Sequence, residues 1–125
     1  MTDEERRTLS ADEDGLLTYE YIANHIGTDE LDIDWLVRNM ERVDAYGQFT
    51  ASAARYLNAI DSTRFAAQIS SLIASAIDKD REHRYLPGLM TAIYGDDYEQ
   101  RAGELSNSDN NFRRLYKRLH YTSAI

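Results

Sequence analysis

The stretch FTASAARYLNAIDSTRFAAQISSLIASAID, residues 49–78, has the most regular apolar periodicity in the chain. Its apolar residues recur at the i, i+3, i+4 and i+7 spacing of an amphipathic helix. Two stripes result, the first made of Phe49, Ala53, Leu57 and Ile60 and the second of Phe65, Ile69, Leu72, Ile73 and Ile77. The residues at 61–63, between the stripes, are all cap formers and indicate a break. The pattern predicts a central helix pair, 49–60 and 62–84, on which the other helices pack.

Shorter amphipathic segments lie on both sides of this pair. They predict helices at 18–26, within 28–47, and at 87–94, 96–105 and 112–119. The polar run SNSDNN, residues 106–111, is expected to be a loop. No sustained β-branched alternation occurs, so no sheet is expected, and no internal repeat is apparent. The sequence therefore predicts an all-α fold, a single-domain bundle of five to seven helices.

The composition restricts the class of protein. A chain of 125 residues fits one domain, and the absence of cysteine excludes a disulfide scaffold, a thiolate metal site and a cysteine nucleophile. The charged first residues are not expected to form a signal peptide, and no apolar run is long enough to span a bilayer. A cytoplasmic protein that binds no membrane is expected. Residues 1–15 are predicted to be a mobile acidic arm ahead of a helical domain, 16–125, because Leu9 is their only sizeable aliphatic side chain after Met1.

The charge of the chain is distributed unevenly. The formal net charge is −8, but residues 1–34 hold eleven carboxylates against two arginines, a net charge of −9. Four of these carboxylates lie close together in sequence, namely Asp29, Glu30, Asp32 and Asp34. They predict a docking surface for a protein partner with a basic surface, because a row of carboxylates can imitate the phosphates of nucleic acid. The competing interpretation is a solvated face that favours helix starts.

The segment 21–36 resembles the sequence pattern of a DNA-binding helix-turn-helix. Its apolar and small residues have the spacing in which two short helices cross around a tight turn: Ile22, Ala23, Ile26, Gly27, Ile33 and Leu36. The match covers about one sixth of the chain. The second helix would, however, carry the four carboxylates, and phosphates repel carboxylates. An ordinary helix pair joined at Gly27 is therefore the competing interpretation.

The C-terminal segment is basic. Residues 111–125 contain no carboxylate and four cationic side chains, Arg113, Arg114, Lys117 and Arg118, which give a net charge of +4. Arginine interleaved with aromatic residues is typical of a nucleic-acid contact, so these four residues are candidate contacts to nucleic acid or to an acidic partner. The competing interpretation is an amphipathic closing helix whose cations favour its own C-terminus.

These observations favour a small acidic, non-enzymatic protein-interaction module. It would act as an inhibitor or regulator that occupies a basic, nucleic-acid-binding surface of a partner, with no cofactor and no metal. The alternative function is a DNA-binding transcriptional regulator that uses the unit at 21–36. A third hypothesis is an enzyme whose site forms only in three dimensions, since His25, His83 and His120 match no catalytic or metal-binding spacing.

Overall fold

The computed structural model describes residues 1–28 and 31–120, and every regular element in these ranges is an α-helix. Eight helices follow in order: α1 (Asp3–Ser10), α2 (Leu16–His25), α3 (Ile33–Val43), α4 (Gln48–Asp61), α5 (Ala66–Lys79), α6 (Leu86–Tyr94), α7 (Ala102–Ser108) and α8 (Asn110–His120). The all-α prediction is confirmed, and the expected count of five to seven helices is too low. None of the helices in this part of the chain is both long and apolar enough to cross a bilayer.

The first six helices form three consecutive units, each made of two helices and a short turn. Unit 1 contains α1 and α2, unit 2 contains α3 and α4, and unit 3 contains α5 and α6. The first helices of successive units, α1, α3 and α5, are neighbours, and so are the second helices, α2, α4 and α6. Helix α8 packs on both α5 and α6. The chain therefore builds an array with unit 1 at one end and α8 at the other.

The central pair of this array is α4 and α5, whose mutual contact is the most extensive between any two helices. Leu57 and Leu72, from the middle of the two predicted stripes, are fully buried, whereas Ile60 is half exposed. Helix α5 ends at Lys79 and not at 84 as predicted. The reason is Asp80, whose carboxylate accepts backbone N–H bonds from the residues at 84–86 and holds the chain in a turn.

The N-terminal residues differ from the mobile arm that the sequence predicted at 1–15. Residues 3–10 form α1, which starts with a capping box between Thr2 and Glu5 and packs on α3. Leu9 is only 5% exposed, and its carbonyl accepts a hydrogen bond from Asn39 Nδ2 at 2.8 Å. One aliphatic side chain is sufficient here because polar contacts to α3 accompany it. Helix α1 therefore packs on the helical array that follows it.

The C-terminal helices also differ from expectation. Residues 106–111, predicted to be a loop, are mostly helical, since only Asp109 separates α7 from α8. Asp109 accepts a hydrogen bond from the backbone N–H of Phe112 at 3.1 Å and another from the Tyr94 hydroxyl at 3.0 Å. Tyr94 in turn packs edge-on against the Phe112 ring. This aromatic packing, which local propensity does not reveal, holds the polar run in helical form.

Candidate partner-binding site

A carboxylate organises the turn inside each of the first two units. In turn 1 (residues 12–18), Asp12 Oδ2 accepts hydrogen bonds from the backbone N–H of Thr18 at 2.9 Å and from its hydroxyl at 2.7 Å. In turn 2 (residues 44–50), Asp44 Oδ2 accepts the same two bonds from Thr50, each at 2.8 Å. The other oxygen of each carboxylate accepts two further backbone N–H groups in its own turn. Both carboxylates are buried, so each turn is rigidly fixed.

Turn 3 (residues 80–86) uses the same principle with different residues. Asp80 accepts three backbone N–H bonds, and His83 adopts the left-handed conformation (φ 57°) that glycine adopts in the other two turns. The three turns lie side by side. A Cβ on Gly15 would lie 3.3 Å from Asp44 Cβ, and a Cβ on Gly47 would lie 3.5 Å from Asp80 Cβ. Turn 1 therefore rests on the aspartate of turn 2, and turn 2 rests on the aspartate of turn 3.

These turns are the feature that the sequence analysis missed. The signal is the pattern D-x-x-G-x-x-T, which begins at residue 12 and again at residue 44. Turn 3 keeps the aspartate but has His83 and Leu86 in place of glycine and threonine, and this change hides the third copy. A search for an Asp–Gly–Thr spacing would have found the first two copies, since helix-pair repeats recur at periods of 20–50 residues.

The Asp12 carboxyl predicts a pH dependence of stability. Burial alone would raise the pKa of Asp12, but the hydrogen bonds from the Thr18 hydroxyl and from three backbone N–H groups outweigh burial and hold the pKa below its ordinary value. The stabilisation is therefore present above the ordinary pKa of 3.8 and is lost as the pH falls through the lower, folded-state pKa. We expect Asp12→Asn to lower the free energy of unfolding at pH 7, and the difference from wild type to shrink below about pH 4 in urea titrations. A difference that stays constant with pH would contradict this role of Asp12.

The four predicted partner-binding carboxylates have different positions. Asp29 and Glu30 lie outside the described residues. Asp32 caps α3 by accepting the backbone N–H of Trp35, and it forms an ion pair with Arg6 at 3.4 Å. Asp34 is exposed but accepts a hydrogen bond from Gln68 Nε2 at 2.9 Å. The two described members thus serve the fold as well as the surface.

The helix pair at 21–36 does not have the connection of a helix-turn-helix. Helix α2 ends at His25 and α3 begins at Ile33, so residues 26–32 separate them. A DNA-binding helix-turn-helix has a turn of about three to four residues. Leu36 is buried, and Ile33 packs against the core. The apolar spacing that produced the resemblance therefore reflects packing of α3 in the array.

The exposed carboxylates of unit 1 lie next to two exposed leucines. Leu16 is 40% exposed and Leu17 is 47% exposed, at the start of α2. Glu20 lies four and three residues after them, which places it on the same side of the helix. The exposed side chains of Glu13 and Asp14 precede the leucines, from which Gly15 separates them. These five residues, Glu13, Asp14, Leu16, Leu17 and Glu20, form a surface that we name the acidic–leucine patch.

The basic residues of the C-terminal segment lie on α8 at the other end of the array. Arg113 and Lys117 are exposed and four residues apart, so they share one side of the helix. Arg114 instead forms an ion pair with Asp78 of α5 at 2.7 Å. Arg118 is only partly exposed. Two of the four predicted contacts, Arg113 and Lys117, therefore form the accessible basic surface, and we name this pair the basic end.

A cleft of about 720 Å³ lies between turn 2 and turn 3. Its walls include Tyr46, which is 76% exposed, and Tyr85. Burial lowers the pKa of Lys79, which also lines the cleft, and the carboxylates of Asp44 and Glu41 oppose this effect. Cationic and anionic residues alternate around the cleft: Asp78, Lys79, Asp80, Arg81, Glu82 and Arg84. Neither sign of charge prevails, so the cleft does not select a ligand by charge.

The three histidines lie in different surroundings. His25 Nδ1 is 2.8 Å from the carbonyl oxygen of Tyr21, and its ring stacks on that tyrosine. His83 is part of turn 3, and His120 Nε2 lies 3.8 Å from Glu99 near the end of α8. These contacts give no support to a common catalytic site.

No protein-family model, curated protein or solved structure matches the chain.

Proposed function

We propose that the chain is a cytoplasmic, non-enzymatic protein-interaction module, an inhibitor or regulator whose acidic end occupies a basic surface of a partner protein. The observation that supports this proposal is the acidic–leucine patch. Leucines at its centre supply apolar area that water would leave on binding, and the surrounding carboxylates supply charge complementarity. Scattered surface charges without an apolar centre would be weakly specific.

The fold suits this role because it presents the patch on a fixed support. Leu16 and Leu17 directly follow Gly15, whose backbone N–H is bound by Asp12 within turn 1. The Asp14 carboxylate accepts the backbone N–H of Leu16 at 3.0 Å. The patch is thus held in place before a partner arrives, which reduces the entropic cost of binding. Basic nucleic-acid-binding proteins are a suitable class of partner, since carboxylates can replace phosphates at their surfaces.

The test uses an arginine-rich peptide as the basic probe and isothermal titration calorimetry as the measurement. The variant Glu13→Gln/Glu20→Gln should bind about fivefold more weakly than wild type, because each exposed ion pair contributes about 0.2–1 kcal/mol. The loss of affinity should be larger at about 0.01 M salt than at about 0.1 M salt. The screening length is about 30 Å at the lower concentration and about 10 Å at the higher one.

A matched control separates the patch from the net charge of the protein. The variant Asp96→Asn/Glu104→Gln also removes two exposed carboxylates, but these lie far from unit 1 in sequence, before and within α7. It should bind the peptide as wild type does. An equal loss of affinity in both variants would show that only net charge attracts the probe, and the proposed function would then lose its support.

A further inference from the structure

We propose that the acidic–leucine patch binds the basic end of a second copy of this chain, so that copies associate head to tail. The inference rests on the proposed function, because it names a partner for the same patch. It also explains why the charge of the chain is divided between two ends.

The repeated units indicate what kind of surface covers the patch. Leu17, Phe49 and Tyr85 each follow the turn aspartate of their unit by five residues. Phe49 packs against Tyr19 of unit 1, with ring centroids 6.4 Å apart, whereas Tyr85 lines the cleft between turn 2 and turn 3. Within the described residues Leu17 has no preceding unit beside it and stays 47% exposed. At the corresponding position of unit 2, helix α2 of the preceding unit packs against the Phe49 side chain.

The basic end has the chemistry to cover it. Arg113 and Lys117 have long aliphatic stems that can lie over leucine side chains while their charged groups reach carboxylates beyond them. Glu13 and Glu20 lie on either side of the leucines in sequence, and both are exposed. Their negative charges are opposite to those of the basic end. Two cations and two carboxylates can therefore pair around an apolar centre.

The fold keeps the two surfaces apart within one molecule. The patch belongs to unit 1, whereas α8 packs on α5 and α6 of unit 3. Two copies of the patch repel each other, and so do two basic ends, so that unlike ends pair. The contact between unlike ends is heterologous, and such contacts give rings or chains of molecules.

The first test is sedimentation velocity of the wild-type protein over a range of concentrations. The weight-average sedimentation coefficient should rise with protein concentration at about 0.01 M salt, and this rise should weaken several-fold at about 0.1 M. The variant Leu17→Ser, which changes an exposed position, should reduce association without changing the helical circular dichroism. A monomer at every concentration and salt would overturn the proposal.

Charge reversal distinguishes head-to-tail association from other modes. The head variant, Glu13→Arg/Glu20→Arg, and the tail variant, Arg113→Glu/Lys117→Glu, should each be monomeric alone. Mixed together they should associate again, because both ends of the head variant are then basic and both ends of the tail variant are acidic. A chain that carries all four substitutions should associate again, since its two ends are complementary with the charges exchanged.

The outcomes also separate this inference from the proposed function. If the head variant alone still associates as wild type does, the contact does not use the patch and the inference is wrong. If wild type binds the arginine-rich peptide through the patch but never binds itself, the proposed function stands and the second copy is not the partner. If the wild-type protein bound duplex DNA and the tail variant did not, the basic end would be assigned to nucleic acid. That result would overturn the inference.

Discussion

Deletion of residues 2–14 is expected to destabilise the protein by about 4 kcal/mol or more. The deletion removes the buried Leu9 side chain and the Asp12 carboxylate that fixes turn 1. It also removes the Leu9 carbonyl, a hydrogen-bond acceptor for the buried Asn39 side chain. The free energy of unfolding, measured by urea denaturation with circular dichroism detection, should therefore fall well below that of the full chain.

Two single substitutions serve as controls for the deletion. Leu9→Ala should lose about 2–3 kcal/mol, since it removes a buried leucine side chain. Thr8→Ala, at an exposed position of the same helix, should change stability by less than about 0.5 kcal/mol. If the deleted protein unfolded at the same urea concentration as the full chain, residues 1–15 would be the mobile arm that composition alone suggested.

Replacement of Asp44 by alanine is expected to cost about 4 kcal/mol. The Asp44 carboxylate accepts four hydrogen bonds in turn 2, and alanine leaves the N–H groups of Gly47 and Thr50 without an acceptor in a buried place. The Asp44 Cβ that faces Gly15 of turn 1 is kept in alanine, so the loss reports on the hydrogen bonds of turn 2. Thermal and urea unfolding should both show the change.

The matched control for this substitution is Asp96→Ala, at an exposed aspartate before α7. It should change stability by less than about 0.5 kcal/mol. The stability of the Asp44→Asn variant should lie between the stabilities of the Asp44→Ala and Asp96→Ala variants. The amide keeps one acceptor oxygen but places an NH₂ group where a carboxylate oxygen accepted hydrogen bonds. Equal stabilities of the Asp44→Ala and Asp96→Ala variants would mean that the turn does not depend on its carboxylate.

The sequence predicted the helices wherever apolar periodicity was strong. The stripes at 49–78 correspond to α4 and α5, and α6 ends at Tyr94, the predicted end of the helix at 87–94. The errors lie where polar contacts decide the structure. Charged residues 80–84 have helical composition, yet Asp80 turns the chain there through its backbone hydrogen bonds. The periodicity of apolar residues does not reveal which side chain accepts hydrogen bonds from which backbone N–H groups.

The candidate site was predictable only in part. The imbalance of charge between the two ends follows from composition, and Arg113 and Lys117 lie exposed on one side of α8. The sequence drew attention to the dense run at 29–34, and partner binding by that run stays a prediction. In the structure Asp32 caps a helix, while Glu13 and Glu20 stay exposed beside Leu16 and Leu17. Which acids are exposed depends on packing between units.

The stacking of turn 1 on turn 2 and of turn 2 on turn 3 follows the order of the chain. A polypeptide leaving the ribosome presents the units in the same order, so each new unit finds its predecessor already in place. Most helix contacts join elements that are near in sequence, and a chain with such local contacts closes short loops and folds quickly. Asp44 of turn 2 packs against Gly15 of turn 1, and Asp80 of turn 3 packs against Gly47 of turn 2. The nascent protein can thus add its units in order, and the face of α4 that packs on α5 becomes buried when unit 3 follows.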